Sequence, residues 1–317
     1  MSVKDHKKNK LKLIITCDFH YFLSKKTFMS PKKFIEIILR GISQIMLVNN
    51  VITGILFLIG IFYNSWLMGI GAIIGVLTGT FTAMLLKYNK NDIDNGLYGY
   101  NSALVGLGII YFFEFNVPSI IAVIVGATLS TIIMRSIRKT RLPAYTAPFI
   151  ISTWILLVII LKFHIIPLKT IQTPTAENLE IIPAFFNGIG QVMFQENVIT
   201  GIIFLIGLMV YSRISTLYAV VGSVTGIAIG FALSFPINML NMGLFGFNGV
   251  LCGIVFSNKN WYNIKTALIS IIISIFIIYG MINLSIIALT SPFVLSTWLI
   301  LIINNLLKNK IKQYNIP

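Results

Sequence analysis

Three pairs of neutral, hydrogen-bonding side chains stand out in a strongly apolar chain: Gln44 and Gln191, Asn101 and Asn248, Thr146 and Thr290. A polar group inside a membrane is expensive, and it is kept for helix packing or for function. The chemistry on offer is hydrogen bonding, not proton or group transfer. Neutral oxygens accept from N–H groups, and partial negative charge without a carboxylate favours a neutral, donor-rich solute over an ion. Aromatic residues stand close by in sequence. Tyr100 and Leu104 are four apart, hence on one helical face, and Phe247 and Leu251 mirror them. Phe194 lies three after Gln191, with Leu47 in the mirror position after Gln44. Flat aromatic walls suit a flat solute. Such stripes also serve as core or lipid contacts, and Thr and Asn also bond neighbouring helices, so both uses stand open at this point. Asn50 and Asn197, with Thr53 and Thr200, sit at a turn and read as structural.

Other chemistries lack their residues. No acidic run could couple sodium or protons, and no phosphate loop, metal cluster or nucleophile constellation is present. His6 and His20 precede the apolar spans and His164 falls at a loop; Cys17 and Cys252 are far apart and make no metal spacing. An enzyme is therefore not expected, nor a cofactor. Glu36, Arg40 and Glu196 lie near span ends. Arg40 pairs with Glu36 by four-residue spacing, and Glu196 reaches either the interface or an inner vestibule.

The elements that must hold these residues are membrane helices. The chain has 317 residues, 56% hydrophobic and 10% charged, with mean hydropathy +0.89. Soluble domains carry about a quarter charged residues, and this chain could not cover a soluble surface. Its net charge of +15 is clustered. Lys4, Lys7, Lys8, Lys10, Lys12, Lys25, Lys26, Lys32 and Lys33 crowd the start. Arg135, Arg138, Lys139 and Arg141 sit mid-chain, and Lys308, Lys310 and Lys312 close it. Basic clusters beside apolar spans mark the cytoplasmic side, and no basic face for nucleic acid is visible.

The chain repeats itself. Gly41-Ile42-Ser43-Gln44 recurs as Gly188-Ile189-Gly190-Gln191, an offset of 147 (191 − 44). Asn50-Val51-Ile52-Thr53-Gly54 recurs as Asn197-Val198-Ile199-Thr200-Gly201 at the same offset. Gly96-Leu97-Tyr98-Gly99-Tyr100-Asn101 recurs as Gly243-Leu244-Phe245-Gly246-Phe247-Asn248. A last block, Thr146-Ala147-Pro148-Phe149 through Trp154, matches Thr290-Ser291-Pro292-Phe293 through Trp298, now offset by 144 (290 − 146). Apolar helices resemble one another by chance, but matched Gln, Asn, Thr, Gly, Pro and Trp at one offset are a duplication.

The expected fold is an all-α polytopic membrane protein of two inverted repeats, each with five transmembrane helices and one re-entrant half-helix. Spans are expected near 33–48, 51–66, 67–86, 118–136 and 146–161, then 184–195, 198–212, 214–233, 264–283 and 290–306. Residues 97–109 and 244–256 are apolar runs of about 20 Å as helices, shorter than the hydrocarbon core. They are expected to enter and leave on one side. Five spans per copy is an odd number, so the second copy is inverted. The organisation is then 1–31 a cytoplasmic basic segment, 32–162 the first repeat and 163–183 an extracellular linker. A second repeat at 184–307 and a cytoplasmic basic tail at 308–317 complete it. The loop with Arg135 to Arg141, the loop with Lys259 and Lys265, and both termini all fall inside.

These residues resemble the urea transporter family. Gln-x-x-[Leu/Phe] near the start of each half, with Phe in the second, the Gly-x-x-Gly-[Tyr/Phe]-Asn block and Thr-[Ala/Ser]-Pro-Phe before a Trp-bearing span carry the resemblance, over about residues 32–307. It implies a homotrimer in a bacterial cell membrane, with one channel in each protomer and lipid between protomers. It implies facilitated diffusion of urea without ATP, ion or cofactor. Gln44 and Gln191 then bind urea N–H groups at the two mouths. Phe194 and Phe247 form one aromatic slot, Leu47 and Tyr100 stand where the family usually has two Phe, and Leu104 and Leu251 narrow the slots. Thr146 and Thr290 match the threonines of the central constriction. Channels for other small amides or ammonia, and an ion-coupled transporter built from inverted repeats, are the alternatives.

Overall fold

A computed structural model describes residues 30–140, 142–169, 176–257 and 264–314, with side chains as far as 306. The expectations placed on residues 1–29 (the N-terminal lysines, Cys17, His6 and His20), on Arg141 and on Lys259 lie outside these residues, as do the side chains of Lys308, Lys310 and Lys312. The chain divides into Met1–Ile35 and Glu36–Pro317. Of the first unit, the described residues open a helix, where Ser30 Oγ accepts from the Lys33 N–H at 3.3 Å.

The described residues form helices and no strand. In order they are α1 (Pro31–Ser43), α2 (Val51–Asn64), α3 (Trp66–Leu85), α4 (Lys90–Asp94), α5 (Tyr100–Phe112), α6 (Val117–Ile137) and α7 (Ala147–Phe163). The second series is α8 (Ile181–Gly190), α9 (Val198–Tyr211), α10 (Arg213–Ala232), α11 (Ile237–Asn241), α12 (Phe247–Phe256), α13 (Ile264–Asn283) and α14 (Ser291–Tyr314). Each member of the second series corresponds to one of the first. A 3-10 turn follows α1 (Gln44–Met46), and another follows α8 (Gln191–Met193). Helices stand at the positions of the expected spans, with α14 running on to Tyr314. The pairs α1 with α2 and α8 with α9 are bent and reach membrane length only together, and the short helices α4 and α11 are additions.

Among the described residues four helices, α3, α6, α10 and α13, are long and apolar enough to cross a membrane alone. At about 1.5 Å per residue, twenty residues cover about 30 Å, the thickness of the hydrocarbon. The helices start where small polar side chains release the chain from the preceding segment. Asn50 Oδ1 accepts from the Thr53 N–H at 3.0 Å, and Asn197 Oδ1 from the Thr200 N–H at 3.1 Å. Ser65 and Ser212 cap α3 and α10 in the same way. These caps satisfy N–H groups that lipid cannot. Large apolar residues such as Leu85, Val117, Val158 and Ile181 stand exposed on the outside, as a lipid-facing surface requires.

The halves meet reciprocally at α2 and α9. Thr53 Oγ1 donates to the Gly207 carbonyl at 2.8 Å, and Thr200 Oγ1 donates to the Gly60 carbonyl at 3.0 Å. Each threonine lies near its helix start and each glycine further along, so the two helices run antiparallel. The Phe57 and Phe204 rings, equivalent by the repeat, lie 5.0 Å apart between them. Lipid gives no hydrophobic drive to helix association, so close packing and hydrogen bonds must supply it. A Cβ at Gly207 would lie 2.9 Å from Phe57 Cε1, and one at Gly60 2.7 Å from Phe204 Cε1. Gly207→Val is therefore expected to destabilise the fold by about 1–3 kcal/mol through overpacking. A thermal-unfolding scan in detergent checks this, with Gly280→Val, at a site with open space around it, as the harmless comparison.

Candidate functional site

The last turns of α1 and α8 tighten to 3-10 geometry and end on residues in the left-handed region. Leu47 has φ 60° and Phe194 φ 59°. At these corners the chain swings by 74° into α2 and by 70° into α9. A second matched pair, Tyr145 (φ 41°) and Leu289 (φ 49°), precedes the two threonines. Non-glycine residues held there cost about 1–3 kcal/mol each, and such strain concentrates at functional sites. All four line one of two cavities.

The first cavity, about 460 Å³, is lined by Gln44, Leu47 and Tyr100 together with Met134, Arg138 and Pro143 to Tyr145. Gln44 Nε2 donates to the Asn95 carbonyl, which leaves the amide oxygen to accept from a solute. The Tyr100 hydroxyl donates to the Tyr145 carbonyl at 2.5 Å, so its proton is already committed. Arg138 is held by Asp92 at 3.0 Å. The second cavity, about 210 Å³, is lined by Gln191, Phe194, Phe247 and Thr290, with Tyr111, Phe112, Leu244, several isoleucines and Leu289. No charged residue is among its walls within the described residues. Gln191 is 5% exposed, and the nitrogen of its amide has no partner among the described residues. A buried amide with one end unpaired calls for a partner.

The two threonines meet. Thr290 Oγ1 donates to Thr146 Oγ1 at 2.7 Å, with both side chains buried. Each stands at the N-cap of its helix, α7 or α14, where a threonine ordinarily accepts from its own helix. That duty has passed to another helix. Asn101 Oδ1 accepts from the Phe149 N–H at 3.2 Å, and Asn248 Oδ1 from the Phe293 N–H at 3.1 Å. The threonine hydroxyls are thereby released to face each other. Asn101 and Asn248 thus position the threonines, a role invisible in the sequence beyond their duplication.

From the sequence, 97–109 and 244–256 are expected to be half-helices that enter and leave on one side. In the structure both runs are short helices, α5 and α12. Tyr100 begins α5 and lines the first cavity, while Tyr111 and Phe112 end it and line the second. The helix runs between the cavities. The glycines before it serve close packing: Gly96 has φ 74° and would meet the backbone of Gly41 and Arg40 if it carried a Cβ. Sharp breaks lie at the Leu47 and Phe194 corners. Leu104 and Leu251 are fully buried and line neither cavity. Tyr111 and Phe112, from the other half of the chain, complete the second cavity, with rings 5.1 and 6.1 Å from Phe194. An aromatic pair ending a short helix is the only sequence signal they leave.

A model described as urea transporter matches residues 35–305. The chain belongs to the urea transporter family. Urea transporter 1 of sheep (Ovis aries) is 29% identical over 317 residues, covering 90% of this chain and 82% of the relative. Urea transporter 1 of mouse (Mus musculus) is 29% identical over 272 residues, covering 78% and 69%. As a urea transporter family member the protein is a multi-pass membrane transporter for urea and not an enzyme.

Proposed function

We propose that the two cavities are the mouths of one path, that they meet at the Thr146–Thr290 bond, and that urea crosses this path by facilitated diffusion. The observation that carries the reading is that bond between equivalent residues of the two halves, 2.7 Å long and buried. Urea has four N–H donors and one carbonyl on a planar frame. Each lost water must be replaced, or an unsatisfied group costs several kcal/mol. Gln44 accepts through its amide oxygen at one mouth, the unpaired Gln191 amide nitrogen donates to the urea carbonyl at the other, and the paired hydroxyls part to bond urea at the centre. Phe194 and Phe247 stack it in the second cavity; Leu47 and Tyr100 take that place in the first. Binding stays weak enough for release.

The same reading makes residues 32–162 and 184–307 inverted repeats, supported by the antiparallel, reciprocal contact of α2 with α9. We place the protein as a homotrimer in lipid, in a bacterial cell membrane with both termini cytoplasmic. The exposed apolar exterior supports the lipid contact, and the basic clusters support the orientation; the host rests on neither.

The unequal first cavity favours a second reading, a channel for another small amide or for ammonia. Comparing urea, acetamide and ammonia flux in one set of proteoliposomes decides between them. Under an imposed sodium or proton gradient, urea is expected to settle at equal concentrations on both sides. Accumulation against its gradient would instead make the protein a coupled transporter.

A further inference from the structure

We propose that Trp154 and Trp298 are positioning residues for the constriction, each fixing the loop that leads into the other half's threonine. This rests on the path proposed above. Trp154 Nε1 donates to the Ile287 carbonyl at 2.8 Å, and Trp298 Nε1 donates to the Pro143 carbonyl at 2.8 Å. The residues correspond in the repeat on both sides: 298 − 154 and 287 − 143 are each 144. The two bonds are therefore one device used twice, in reciprocal directions.

The loops they hold are the walls of the site. Pro143, Ala144 and Tyr145 line the first cavity, and Ile287, Ala288 and Leu289 line the second. Each loop passes through a left-handed residue, Tyr145 or Leu289, directly before its threonine. Such a backbone persists only where its surroundings over-determine it. From the inner side, Asn101 and Asn248 hold the helix starts. From the outer side, the indole N–H of the opposite half supplies the second fixed point. A tryptophan N–H is a donor only, so the bond cannot reverse, and phenylalanine keeps the ring contact while deleting it.

The test is the flux ratio of N-methylurea to urea through full-length protein in liposomes, for wild type, Trp154→Phe, Trp298→Phe and Trp66→Phe. Trp66 is 63% exposed and lines neither cavity. Losing either bond frees a loop beside the threonine pair, so the larger solute gains relative to urea by about threefold or more, the scale of one neutral hydrogen bond. Trp66→Phe keeps the wild-type ratio. A variant that assembles poorly lowers both fluxes together and leaves their ratio alone, so the ratio reads the constriction and not the yield. Wild-type ratios in both Trp154→Phe and Trp298→Phe would overturn the role while leaving the path intact. Wild-type liposomes no more permeable to urea than empty ones would overturn the path, and the positioning role with it.

Discussion

Thr290→Val is expected to lower urea permeability by about tenfold or more while leaving the fold assembled. Valine keeps the shape of threonine but removes its hydroxyl. In the resting path Thr290 Oγ1 bonds Thr146 Oγ1 at 2.7 Å and both are buried. On the proposed path a urea at that point sheds most of its water and has the two hydroxyls to replace it. Removing one leaves a buried N–H unsatisfied, at about 1–3 kcal/mol, and each 1.4 kcal/mol on the barrier is about tenfold in rate. The helix start does not suffer, because the Asn248 side chain and not Thr290 caps α14. Stopped-flow urea efflux, read beside a thermal scan, checks both halves of the expectation. Thr146→Val is expected to match it, since the bond is shared.

Phe194→Ala is expected to lower urea flux by about five- to tenfold and also to lower thermal stability. The Phe194 ring packs 5.1 Å from Tyr111 and 6.1 Å from both Phe112 and Phe149. It is half-buried at the corner of the 70° bend. Truncation removes up to about 3 kcal/mol of apolar burial, and on the proposed path it removes the wall on which a planar solute stacks. The equivalent corner of the first half already carries an aliphatic side chain, so Leu47→Ala is expected to change flux less. Equal losses at the two corners would mean that the aromatic wall contributes nothing specific.

Most of the helix inventory could be read from the residues alone. Apolar runs separated by Asn50, Ser65, Asn197 and Ser212 mark their own starts because these residues cap what lipid cannot satisfy. The duplication was legible for the same reason: polar residues in apolar helices are too few to match by chance. The threonine pair could be named, but not its bond. That Asn101 caps a helix starting 46 residues later (147 − 101), and so frees Thr146, is a long-range contact with no local pattern. The left-handed corners at Leu47 and Phe194 carry no local signal. A left-handed residue there is normally announced by glycine or asparagine, and neither stands at either corner. Arg138 was legible only as a cytoplasmic charge; its pairing with Asp92 over the first cavity joins α4 to the residue after α6.

The central claim is that urea passes through this chain, between the two halves. Urea permeability of proteoliposomes, measured by stopped-flow for wild type, Thr290→Val and empty liposomes, tests it most directly. The account predicts wild-type permeability well above that of empty liposomes, with Thr290→Val falling most of the way back. Wild-type permeability equal to that of empty liposomes, or a Thr290→Val channel as permeable as wild type, would contradict it.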